Sequence, residues 1–195
     1  MGSRLMHYTM AQRLIKKFPQ LHENRFLLGG IAPDAHFSNK EQAHFYTGDY
    51  QDFSRRIDYE RYWETSKKED FSYRCGYYVH LIADELWLQG FYKSWLKQAI
   101  EGTPSIGERY HEDFRRFNTV LSRQLSVNRA ALRQETEKLK KQTDVAQLKQ
   151  LVDDVEKDTK TLMEQIYDVM PVHQLEGYMA SALKICEQAL KNKLS

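Results

Sequence analysis

His80 and Asp84 stand four residues apart inside Gly76-Tyr77-Tyr78-Val79-His80-Leu81-Ile82-Ala83-Asp84. On a helix this spacing puts both side chains on one face, roughly 5–6 Å apart at Cβ, where they can grip one cation together. An ionised aspartate in so apolar a stretch is costly to desolvate alone. A divalent ion with imidazole and carboxylate ligands removes that cost, as zinc does. The same pair could instead staple the core through a His–Asp hydrogen bond. Further residues of ligating type accompany it in the first 115 positions: His7, Asp34 just behind Pro33, His44 in His44-Phe45-Tyr46, and His111 with Glu112 and Asp113. Taken singly, each is as readily a structural histidine or a capping aspartate.

Competing chemistries lack their motifs. His22-Glu23 and His111-Glu112 have no following histidine at the spacing of a zinc protease, and there is no His-Asp dipeptide, phosphate-binding Gly-x-x-x-x-Gly-Lys loop or Cys-x-x-Cys pair. His36, two residues after Asp34, is an auxiliary ligand candidate or a loop histidine; His22 and His173 read as structural or solvent-facing.

The elements that must position these residues are helical. Leu5, Tyr8, Leu14, Ile15 and Phe18 follow Ser3, a capping residue, and Pro19 stops the run, which predicts a helix over about 4–17. Residues 26–32 form a short apolar segment with two glycines that permit close packing, and Pro33 places Asp34 at a turn. Residues 36–54 read as a loop with short helical pieces, 57–68 as a helix, and Phe71–Gln89 as a central helix apolar around much of its circumference. Another helix follows Gly-Thr-Pro-Ser at 102–105. Every Phe and Trp lies before residue 118, so the apolar seam of Leu148, Val152, Val155, Leu162 and Ile166 belongs to a leaner region. That seam predicts one helix broken by Pro171, paired as a hairpin with a last helix carrying Leu175, Met179, Ala182, Cys186 and Ala189.

The expected fold is therefore all-α: a multi-helix bundle with a central buried helix and a C-terminal helical hairpin. It is read as one domain over 1–195, with a metal-binding core over 1–125 and the hairpin over 126–195 packed on it or across a homodimer. Lys and Arg number 29 against 27 Asp and Glu, with no basic concentration, so charge does not indicate nucleic-acid binding. The mean hydropathy of -0.71 reflects a charged surface around a core, since 41% of residues are hydrophobic. Cys75 and Cys186 read as separate buried thiols of a reducing compartment. No leader-type apolar run and no membrane-span run occurs, which predicts a cytoplasmic protein without a transmembrane segment.

The order His7, Gly30-Ile31-Ala32-Pro33-Asp34, His44, and Gly76 with His80 and Asp84 resembles the zinc-dependent phospholipase C family, whose relatives include single-strand-specific zinc nucleases. The resemblance spans roughly residues 3–115. It implies an all-helical zinc hydrolase of phosphoesters, lipid or soluble, in which Asp34, His44, His80 and Asp84 surround one zinc and Asp84 bridges to a second held with His7. Asp34 is then also the base that activates the attacking water. Two departures touch a third zinc site. Gly90 stands where the secreted enzymes carry a histidine, and Arg115 replaces a glutamate four residues after His111. A substitute set from His111 with Asp113 or Glu112 requires an irregular helix, and Ser3 or water would replace the terminal ligand of the secreted enzymes. The alternative is a non-catalytic helical metal-binding or assembly protein with a degenerate site. One or two Zn2+ are expected in the first case.

Overall fold

A computed structural model describes residues 2–35, 39–139 and 144–194. The fold is all-α. Helix α1 (Arg4–Ile15) begins where the Ser3 hydroxyl accepts the Met6 amide at 3.2 Å, a direct N-cap. The apolar segment before Pro33 is itself a helix, α2 (Glu23–Ile31), continued by a 3-10 turn over Ala32–Ala35. Behind a short α3 (Lys40–Ala43), strands β1 (Tyr46–Thr47) and β2 (Arg56–Ile57) pair antiparallel, with Tyr46 opposite Ile57. This small hairpin replaces the loop expected there; strands of two residues carry no readable alternation.

Helix α4 (Tyr59–Thr65) leads to α5 (Phe71–Trp87), which Asp70 caps by accepting the amides of Ser72 and Tyr73. From Ser72 to Asp84 every residue of α5 is buried, so it is the core helix. A π-helical stretch, Leu88–Leu96, follows it and contains Gly90. It passes into α6 (Lys97–Gly102) and then α7 (Ser105–Ser122).

The C-terminal region differs from the expected pattern. Instead of one helix running until Pro171 there are two, α8 (Arg129–Lys138) and α9 (Val145–Lys160), with a non-helical stretch behind them. Arg129 and Arg133 pair with Asp153, and Lys149 pairs with Glu137, a register in which α8 and α9 run antiparallel. Leu148, Val152 and Val155 are buried as the seam requires, but Leu162 and Ile166 are 71% and 61% exposed, so the seam stops with α9. The last helix, α10 (Val172–Leu194), packs on α5. The Tyr178 hydroxyl donates to the Ala83 carbonyl at 2.9 Å, one residue from Asp84.

What positions the site is the crossing of α2 and α5. A Cβ at Gly76 would collide with the Phe26 carbonyl oxygen, and one at Gly29 with the Tyr73 carbonyl oxygen. Glycines on both helices thus let the two backbones approach to a distance no side chain permits. No described helix is long and apolar enough to cross a membrane.

Candidate metal centre

Five side chains from separate segments meet at this crossing: His7 from α1, Asp34 from the 3-10 turn, His44 behind α3, and His80 and Asp84 from α5. His7, His44, His80 and Asp84 are nearly or wholly buried, whereas the Asp34 side chain keeps 17% of its surface. The close approach of α2 brings the Gly30 carbonyl to 2.9 Å from His80 Nδ1, and the helical turn of α3 brings the Lys40 carbonyl to 2.9 Å from His44 Nδ1.

Those two contacts assign the tautomers. A carbonyl oxygen only accepts, so each Nδ1 must carry hydrogen, and in a neutral ring the Nε2 then presents a lone pair. The two Nε2 atoms face each other at 3.4 Å. Asp84 Oδ2 lies 3.4 Å from His44 Nε2 and 3.6 Å from His80 Nε2, and Asp34 Oδ1 lies 3.6 Å from His44 Nε2. Two lone pairs and two carboxylates converging in a buried space repel unless a proton or a cation sits among them.

A proton alone leaves His7 unexplained. Its ring stacks on His80, with centroids 3.8 Å apart and planes 19° apart. Neither of its nitrogens has a hydrogen-bond partner, although Nε2 lies 3.2 Å from Asp84 Oδ1. Burial, then the neighbouring His80, lower its pKa to about 4, so the ring is neutral near pH 7. An orphaned neutral imidazole beside a carboxylate oxygen fits a cation of zinc's ligand preference. The oxygens of Asp84 divide between neighbours, Oδ1 facing His7 and the Gly2 amide at 3.5 Å, and Oδ2 facing His44 and His80.

The remaining electrostatics follow from burial set against charge. Desolvation opposes ionisation of Asp34, but His80, His44 and His7 outweigh it and hold its carboxyl far below the usual range. Asp84 is likewise held well down, against its own desolvation, by His7 and His80. For His80, desolvation pulls down while Asp34 and Asp84 push up, and the net direction is up.

The family model for zinc-dependent phospholipase C matches residues 6–98, a span that contains all five converging residues. Over this stretch the chain is similar to the zinc-dependent phospholipase C family. Comparison with curated proteins and with solved structures gives no match. The match supports a zinc-dependent phospholipase C-like function for this stretch, and His111 and Asp113 lie beyond it.

In this phospholipase C-like arrangement the other predicted ligands go elsewhere. Asp113 is fully buried, but its carboxylate accepts the amides of Asp168, Val169 and Met170 at 2.7–3.2 Å and the Arg116 guanidinium at 3.0 Å. It therefore anchors the stretch before α10, and its lone pairs are not available to an ion at the five-residue cluster. Glu112 pairs with Arg116 at 3.0 Å. His111 is outside the cluster too; it stacks on Tyr110 and lines the cavity onto which Asp34 opens. Ser3 spends its hydroxyl on capping α1 and on Asn118 Oδ1 at 2.6 Å, not on the centre. His22 and His173 are exposed, and His36 lies outside the described residues.

Sequence reasoning missed the Gly30 and Lys40 carbonyls that orient the two imidazoles. Lys40 precedes His44 by four residues, a helical-turn spacing that offered a signal. Gly30 carried none, because its approach to His80 depends on the tertiary crossing of two helices.

Proposed function

We propose that the chain is a zinc-dependent phosphoester hydrolase of phospholipase C type, in which a metal-activated water attacks the phosphorus. The observation that carries this reading is the set of inward-facing, uncapped imidazole lone pairs around Asp84. His44, His80, Asp34 and Asp84 would hold one zinc, and His7 with the other oxygen of Asp84 a second. Zinc held there supplies Lewis acidity toward phosphoryl oxygens and makes water more acidic near neutral pH.

The protein's own groups do the rest. Main-chain carbonyls lock the rings of His44 and His80, so the cluster needs no reorganisation when substrate arrives. Asp34 belongs both to the cluster and to the wall of an open cavity, which suits it to take the proton of the attacking water.

Protein purified without chelator should contain tightly held zinc, measured by mass spectrometry, and His80→Ala should lose it. Hydrolysis of bis(p-nitrophenyl) phosphate should fall about 100-fold or more in Asp34→Asn, the range of general-base removal. A second reading, a non-catalytic protein built around a structural ion, is favoured by Gly90 and Arg115, neither of which can ligate a metal at physiological pH. Full zinc content with no turnover of any phosphoester would decide for it.

A further inference from the structure

Asp34 opens onto a cavity of about 290 Å3 whose wall also carries Arg4, Lys40, His111, Arg115, Asn118 and Asp158. This is at the small end of ligand pockets, which run from about 300 to 1,000 Å3, so it suits a headgroup or a small ester better than two acyl chains. Its charges are unequally committed. Arg4 is tied to Asp158 at 2.7 Å and Asp154 at 3.3 Å, so those charges cancel locally. Lys40 makes no ion pair among the described residues. The nearest carboxylate to Arg115 is Glu112 at 3.7 Å, beyond hydrogen-bond reach. His111 is exposed and lines the same cavity as Arg115 and Lys40.

Lys40, an Arg115 only loosely paired with Glu112, and the His111 imidazole stand with the Asp34 carboxylate around one small opening, which gathers cationic donors where an anion can enter. That opening leads to the carboxylate that faces the metal centre. We propose that Lys40, His111 and Arg115 form an anion-binding rim that holds the non-reacting oxygens of a phosphoryl group against the centre. A planar guanidinium and a flexible ammonium supply several donors converging on such oxygens. The rim thereby places cationic charge beside the substrate using side chains. The inference rests on the hydrolase reading for its substrate, a phosphoryl anion of a soluble ester or of a lipid headgroup.

The test is calorimetric titration of the purified protein with inorganic phosphate, alongside Lys40→Gln, Arg115→Gln, the double variant and Arg115→Lys, with zinc content measured in each. All are surface substitutions, and zinc content should stay at the wild-type level. Each Gln variant should bind phosphate about tenfold more weakly and the double variant more weakly still, with Arg115→Lys in between. Glycerol phosphate and sedimentation with phosphatidylcholine vesicles form two further arms. Sensitivity to the same substitutions in the first assigns the rim to soluble esters, and in the second to lipid headgroups. Phosphate bound equally well by the double variant, or not bound by wild type, overturns the rim. Substitution-sensitive phosphate binding without phosphodiester turnover keeps the rim and removes the hydrolase reading alone.

Discussion

Each ligating side chain at the centre has its protonation decided by a neighbour. His44 and His80 donate Nδ1–H to main-chain carbonyls, which leaves Nε2 for a metal, and Asp84 is wholly buried beside them. A buried carboxylate without a cation costs several kcal/mol, so the metal-free centre should compensate with a proton, and the raised pKa of His80 identifies where it sits. Zinc requires the lone pair that this proton occupies. Because the folded-state pKa is raised, more of His80 is protonated at pH 6 than at pH 8, and zinc uptake should release more protons at pH 6. His7, held near 4, adds nothing above about pH 5. Calorimetry in buffers of different ionisation enthalpy reads the proton count, and equal release at both pH values would exclude this assignment. The His80–Asp84 pair was legible from its spacing alone. The role of Asp113 was not, because a buried aspartate that ligates an ion and one that accepts three backbone amides look identical in a sequence.

The α2–α5 crossing is the element on which the centre depends. Gly76→Ala places a methyl against the Phe26 carbonyl, a backbone atom that cannot rotate away, so the helices must separate. Such overpacking costs about 2–3 kcal/mol, and separation also withdraws the Gly30 carbonyl from His80. Urea unfolding should register the loss, and zinc content should fall with it; unchanged stability with full zinc would show that the crossing tolerates a methyl. Helices with a cap and a stop, α1 behind Ser3 and α5 behind Asp70, were legible because capping and periodicity are local. The break between α8 and α9 was not, since Leu162 and Ile166 continue the helical spacing and only the absence of a surface to cover them ends the seam.

Across the molecule, the centre ties α1, the turn behind α2, the segment behind α3, and α5 into one body. Besides apolar packing, these regions are joined by hydrogen bonds such as that from the Tyr77 hydroxyl to the Ala43 carbonyl. Removing the ion leaves the buried Asp84 carboxylate and the partly exposed Asp34 carboxylate uncompensated and dissolves that tie. Dipicolinate treatment should therefore lower the melting temperature on the order of 10 °C, restored by added zinc; coincident melting curves would show that no ion supports the fold. Periodicity, caps and spacing act over a few residues, so helicity, the central helix and the His80–Asp84 pairing could be read from the chain alone, while the order of five potential ligands came from the family resemblance. Only the tertiary structure decided that those five converge while Asp113 and Ser3 serve elsewhere, and that Lys40 and Arg115 share an opening with Asp34. Convergence depends on how closely two glycine-bearing helices approach, and that distance is a property of packing between segments far apart in the chain.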